Sequence, residues 1–269
     1  MLIPRVLLVP NRPTLVLDQH RGHRTPMLEA LARLAADLDA LAPQAVVALS
    51  ARWGASGPFR VDVGRRHRTL TDYTGLGVEL RYDCDGDPAL ARTLVEAGQR
   101  AGLRVAPATR GVDSGVTVPL HFLLPTRRIP VVPLSLPPQD VAACRAWGTA
   151  LRGAIERRPE KIVFIASGLL SFNEHAWNLR REVPESPAFD QAAIDALGRG
   201  DWNDLGTGSR SALEKARPDA GLRHLQVLRG LIGEDARGTL LAYESGNGIG
   251  AALMEFPAPV SVPAEPPAA

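Results

Sequence analysis

The chain has 269 residues, of which 45% are apolar, and 31 basic and 29 acidic residues give it a formal charge of +2. The apolar content excludes a disordered chain, and the length fits one large domain or at most two small ones. Because the two signs of charge are balanced and only 5% of the residues are aromatic, we expect no nucleic-acid partner.

The sequence predicts a cytoplasmic protein with no membrane partner. No apolar stretch approaches the roughly 20 residues that a membrane-spanning helix needs. The apolar run near the N-terminus is interrupted by Pro4, Arg5 and Pro10, which favours a buried strand over a signal segment. Two cysteines allow one disulfide at most, and a domain of this size does not need one.

The first 170 residues predict an α/β domain. Short apolar runs bounded by proline, glycine or polar residues are typical of strands buried on both faces, and they occupy residues 6–9, 45–50, 129–136 and 162–166. Helical patterns lie between them: one begins at Thr25 and Pro26, and the others cover about 87–101 and 139–157. The alternation predicts a mainly parallel central sheet covered by helices.

The remainder of the chain has a different pattern. Helical segments follow one another over residues 186–231, and two apolar runs, 239–243 and 249–256, flank the turn sequence Ser245-Gly246-Asn247-Gly248. This pattern predicts a C-terminal helical segment and a terminal hairpin. Residues 257–269 contain five prolines, so we expect a disordered tail after a single domain of residues 1–256.

Four segments follow predicted strands, where ligands collect in open α/β sheets. They cover residues 9–13, 49–53, 111–120 and 166–172. Ser50-Ala51-Arg52-Trp53 resembles the Ser-Ala-His-Trp motif of the class III extradiol ring-cleavage dioxygenases. Residues 111–120 resemble the Asp-His-Gly loop of that family, and residues 167–172 resemble its Ser-Gly-Gly-Leu-Ser-His motif. These dioxygenases form the LigB superfamily, and the chain resembles its DOPA-dioxygenase-like branch. The resemblance covers nearly the whole chain.

The resemblance implies a metal site whose ligands are replaced here. Such enzymes hold Fe(II), or zinc in some relatives, with two histidines and a third ligand. The positions that correspond to functional histidines of the family carry other side chains here: Asn11 or Pro10, Arg52, Ser114 and Phe172. Only His224 corresponds to a functional histidine that is retained. Arginine has no lone pair to donate and repels a dication. We therefore expect a lost metal site and no cofactor.

Our first hypothesis is a non-catalytic protein that binds a small anionic or aromatic ligand, or that serves as a partner subunit of an active paralogue or in a homo-oligomer. We expect Arg52 to attract an anion, unless Asp113 or Glu174 neutralises it. The predicted pocket residues are Asn11, Arg12, Arg52, Trp53, Ser114, Phe172, Glu174 and His175.

The alternative is a divergent active oxidoreductase that cleaves aromatic rings. One version has a rearranged Fe(II) or Zn(II) site, built by convergence of His20, His23, Glu174, His175 and His224. The other uses His224 and Asp113 as catalytic groups without a metal. A third hypothesis is a structural role with a pocket filled by side chains.

His67 is expected in a charged surface turn, between Arg66 and Arg68.

Overall fold

An eight-stranded sheet forms the centre of the computed structural model, which describes residues 3–73, 77, 79–206 and 210–258. The strands of this sheet are β1 (Val6–Val9), β2 (Ala45–Ser50), β3 (Phe59–Asp62), β6 (Val105–Ala108), β7 (Val131–Ser135), β8 (Ile162–Ser167), β9 (Thr239–Gly246) and β10 (Ile249–Phe256). Their order is β6-β3-β7-β2-β8-β1-β10-β9. Strands β4 (Arg66–His67) and β5 (Cys84–Asp85) form a separate pair.

The central strands are parallel, as predicted. Strand β8 pairs in parallel with both β1 and β2, β2 pairs in parallel with β7, and β3 does so with β6. Antiparallel pairing is found where β10 joins β1 and β9, and where β3 joins β7. Strands β9 and β10 form the predicted terminal hairpin.

Helices cover both faces of the sheet. Their bounds are α1 (Thr14–His20), α2 (Pro26–Leu41), α3 (Pro88–Arg100), α4 (Ser114–Leu123), α5 (Val141–Ile155), α6 (Glu174–Asn178), α7 (Glu185–Arg199), α8 (Arg210–Ala216) and α9 (Arg223–Ile232). Helices α3, α5, α7 and α9 contribute to one apolar cluster, and α1, α2 and α4 contribute to the other. Thr25 caps α2 as expected, since its hydroxyl accepts a hydrogen bond from the Leu28 N–H.

Two sequence-based expectations concern the ends and the exterior of the fold. The predicted proline-rich tail lies outside the described residues from position 259 onwards. His67 lies in the interior, which corrects the expectation of a surface turn: its Nε2 is 3.0 Å from the Val131 carbonyl oxygen, and its Nδ1 is 3.5 Å from Asp62. In the described part of the chain, no helix combines the length and apolarity needed to cross a bilayer.

Candidate ligand-binding site

A cavity of about 450 Å³ lies beyond the carboxyl ends of β1 and β8, two neighbouring parallel strands, and beside the residues that follow β2. These ends meet at one edge of the sheet, so the segments after the strands converge there. The cavity is lined by Asn11, Arg12, Pro13, Arg52, Asp72, Tyr73, Ser114, Leu169, Phe172, Glu174, Trp177, Asn178 and Ile249. Six of the eight predicted pocket residues are among them.

Arg52 is held by an ion pair at the cavity wall. Its Nη2 lies 2.5 Å from Oδ2 of Asp219, and its guanidinium stacks 4.6 Å from the centre of the Phe172 ring. Asp219 is only 4% exposed and also accepts a hydrogen bond from the Leu169 N–H. Arg52 is therefore neutralised by Asp219. Asp113 and Glu174, the two internal partners considered from the sequence, do not neutralise it. The pair leaves the cavity open.

Arg12, which follows β1 at the same edge of the sheet, is neutralised in the same way. Its Nη2 donates to Oε2 of Glu244 in β9 at 2.6 Å, and the other oxygen of Glu244 accepts the Met27 N–H. Next to it, Asn11 is 2% exposed, and its Nδ2 has no hydrogen-bond partner among the described residues. The two arginines thus give the cavity no net positive charge, contrary to the expected cationic pocket.

The start of α4 supplies a further polar wall. Ser114 donates from its N–H and its hydroxyl to the two oxygens of Asp72, at 3.0 and 2.8 Å. Burial raises the pKa of Asp72 above its ordinary value, although the hydrogen bonds from Ser114 oppose the shift. This pair therefore presents a carboxyl group to the cavity.

Asp113, a predicted catalytic group, is a capping residue in the structure. It is buried, and it accepts hydrogen bonds from the Ser50 hydroxyl at 2.6 Å, the Gly115 N–H at 3.1 Å and Arg110 Nη1 at 2.6 Å. Trp53 is buried under the Arg110 guanidinium. Neither Asp113 nor Trp53 is among the described residues that line the cavity.

His224, the other predicted catalytic group, is fully buried beside the cavity. A Cβ placed on Gly168 would lie 2.9 Å from the His224 ring, so the ring packs directly against that backbone. Burial lowers its pKa to about 4 and keeps it neutral. Both ring nitrogens lack a hydrogen-bond partner among the described residues, and the ring is not part of the described cavity lining.

The donor set does not fit the metal that the resemblance implies. Among the described residues, no three His, Cys, Asp or Glu side chains lie close enough together to hold an ion. His20 and His175 are exposed, and His23 is exposed beside Asp18, with 3.0 Å between its Nδ1 and the carboxylate. In the described part of the chain, these histidines do not converge into the rearranged site of the alternative hypothesis. Arg52 and Phe172 offer no ligand atom.

Several residues that line the cavity, or that bind its arginines from outside the lining, had no recognisable signal in the sequence. Asp219 and Glu244 neutralise the arginines from late in the chain, and neither belongs to a motif. Asp72, Tyr73 and Trp177 lie outside the four segments that follow predicted strands. His175, which the sequence placed in the pocket beside Glu174, is exposed and outside the described lining.

The fold is that of an α/β protein with a cavity at the carboxyl edge of a mainly parallel sheet. The family model described as the catalytic LigB subunit of aromatic ring-opening dioxygenase matches residues 7–254. The chain therefore belongs to the LigB family, as the sequence motifs predicted.

Individual relatives agree with this assignment. The dioxygenase tasH of Hapsidospora irregularis is 32% identical over 168 residues, which cover 60% of this chain and half the length of tasH. The 4,5-DOPA dioxygenase extradiol of Beta vulgaris is 26% identical over 223 residues, covering 77% of this chain and 80% of that protein. The crystal structure of the uncharacterized protein JW3007 from Escherichia coli K12 superposes with a TM-score of 0.70 at 20% identity, over 93% of this chain and 98% of that one. The last likeness shows the fold.

Proposed function

We propose that this protein is a LigB-family member that has lost the Fe(II) site and binds a small aromatic ligand without transforming it. The observation that carries the proposal is the ion pair between Arg52 and Asp219, stacked on Phe172. The resemblance expects histidines at positions 52 and 172. A guanidinium and a phenyl ring in their place give a metal no ligand and add a positive charge.

The open cavity supports binding rather than a purely structural role. A volume of about 450 Å³ is within the range of small-molecule sites. Aromatic side chains and hydrogen-bonding groups line it together, as in most such sites. Assembly with a second copy or with an active paralogous subunit remains compatible with this proposal, since a non-catalytic subunit can present the same cavity to a partner.

An active oxidoreductase is the second candidate, and His224 favours it. A neutral buried imidazole with two free nitrogens can accept a proton or coordinate an ion. The described cavity lining does not include the ring, so the alternative requires a rearrangement that exposes His224 to the cavity. This requirement makes ring cleavage the less favoured function.

Metal analysis and oxygen consumption test the proposal together. We expect the purified protein to contain no stoichiometric iron or zinc, and to consume no oxygen with catechol or DOPA even after Fe(II) is added. The variant His224→Ala serves as a control for any trace activity. One metal per chain, together with oxygen uptake that disappears in His224→Ala, would refute the lost site and support the oxidoreductase.

A further inference from the structure

The charges of the cavity are compensated unequally. Arg12 and Arg52 each have a carboxylate partner, at 2.6 and 2.5 Å, and neither of these partners is part of the described lining. The two lining carboxylates, Asp72 and Glu174, form no ion pair with an arginine, lysine or histidine in the described residues. The uncompensated charge that faces the cavity is therefore negative.

An aromatic surface lies beside one of these carboxylates. Glu174 and Trp177 are three residues apart on α6 and both line the cavity, so their side chains lie on the same helical face. The side chain of Glu174 is exposed and therefore available to a ligand. Phe172 and Tyr73 add two more rings to the wall. A carboxylate next to an indole is a favourable setting for an ammonium group.

After β1, the cavity wall offers an unused hydrogen-bond donor instead of a negative charge. Asn11 lines the cavity, is 2% exposed, and has no partner for its Nδ2 among the described residues. An unused amide N–H at this position favours an oxygen acceptor on the ligand. An uncharged oxygen suffices there, because the charge of each guanidinium is already cancelled.

We propose that the cavity selects small aromatic amines over aromatic carboxylates. The ammonium group faces Asp72 and Glu174, the ring contacts the aromatic wall, and a neutral oxygen accepts a hydrogen bond from Asn11. This inference rests on the proposed function, since it assigns a charge to the ligand of the same cavity. It also reverses the preference for anions that Arg52 suggested from the sequence.

Three phenols that share the 4-hydroxyphenylethyl group and differ in the charge of the terminal group test this preference by calorimetry. They are tyramine, which is cationic, tyrosol, which is neutral, and 3-(4-hydroxyphenyl)propionate, which is anionic. We expect the affinity to fall in that order by about threefold to fivefold per step, since partly exposed charge interactions contribute up to about 1 kcal/mol each. The variants Glu174→Gln and Asp72→Asn should each reduce the difference in affinity between tyramine and the propionate, because each removes one of the negative charges that face the cavity.

The control variant is Glu96→Gln, which changes an exposed carboxylate of α3 outside the described lining; it should keep the full order. Equal affinities for the three phenols, or tightest binding of the propionate, would overturn the preference for amines and leave ligand binding intact. Binding of none of the three would overturn both proposals. Circular dichroism and urea denaturation show whether each variant is folded, independently of binding.

Discussion

The interface between α5 and α9 and the cavity at the sheet edge differ in how closely their atoms pack. At the helix interface, Gly148 and Gly230 allow the two backbones to touch, and a Cβ on either would lie 2.0 Å from a carbonyl oxygen of the other helix. At the sheet edge, a volume of about 450 Å³ stays open, and the buried Asn11 Nδ2 on its wall has no hydrogen-bond partner among the described residues.

The difference separates stability from binding. Close packing at the helix interface maximises contacts and leaves no room for a further atom. An unsatisfied buried donor costs about 1–3 kcal/mol, so a ligand or water that bonds to Asn11 would stabilise the cavity region. Substitutions at the helix interface should therefore lower stability, whereas substitutions at the cavity should mainly change what binds.

The largest effect is expected at the helix interface. Gly148→Ala places a methyl group against the Val227 carbonyl oxygen, which belongs to the α9 backbone and cannot rotate away. Overpacking of this kind should lower the free energy of unfolding by about 3 kcal/mol or more, as measured by urea denaturation. Gly230→Ala should behave alike, because its Cβ would meet the Arg145 carbonyl oxygen.

Gly153→Ala is the matched control on the same helix. Its Cβ would meet only the end of the Arg157 side chain, at 3.5 Å. Replacing this helical glycine should raise stability by about 0.5–1 kcal/mol. If Gly148→Ala were as stable as Gly153→Ala, the helices would not be packed at backbone contact.

The second effect is a pH dependence that belongs to the cavity end of the molecule. Asp190 is fully buried on α7 and accepts hydrogen bonds from the Ser171 N–H and hydroxyl and from Tyr243. Burial raises its pKa from 3.8 to about 6. The native state therefore binds this proton more tightly than the unfolded chain, and the stability that the protonated form contributes is lost as the pH rises from about 4 to 6.

Unfolding at several pH values measures this contribution. The loss should be about 2–3 kcal/mol across the window, and Asp190→Asn should abolish it. Asp195→Asn, on the exposed side of the same helix, should retain it. A pH profile of Asp190→Asn that matched the wild type would assign the slope to another group.

The smallest effect concerns the ion pair of Arg52 and Asp219. A double-mutant cycle of Arg52→Met and Asp219→Asn should give a coupling energy of about 1–2 kcal/mol, because one partner is nearly buried and the contact is charge-assisted. The exposed pair Arg100 and Glu96 should couple by less than about 0.5 kcal/mol. Equal couplings would mean that the cavity wall is as solvated as the outer surface.

The parts of the fold that the sequence predicted are those with strong local signals. The runs at residues 6–9 and 45–50 coincide with β1 and β2, and the glycine-rich turn marks the terminal hairpin. The short strands β3 and β6 were missed, since each has four residues and β6 contains Pro107. Helix α4 was missed because Gly115, Thr117 and Pro119 disfavour helices; burial of nearly the whole segment and the Asp113 cap stabilise it.

The site was predictable to the extent that strand ends determine it. Asn11, Arg12 and Arg52 follow β1 and β2 directly, so their convergence follows from the sheet order. The partners Asp219 and Glu244 come from late elements, and nothing in the local sequence distinguishes them from the other acidic residues. Trp53 adjoins Arg52 in the chain, but its ring turns inward under Arg110. The direction of a single side chain after a strand depends on tertiary packing, which periodicity does not encode.

Strand β1 also has a consequence for the time course of folding. It lies between β8 and β10, and Val6 is opposite Phe256, so its two neighbours come from the second half of the described chain. Closing such long loops precedes the favourable contacts that they allow, which slows folding. During synthesis on the ribosome, β1 cannot pair with its neighbours until β8 and β10 have been synthesised. Asn11 and Arg12 directly follow β1, so the cavity takes shape among the last events of folding, after the α3 segment has had time to form locally.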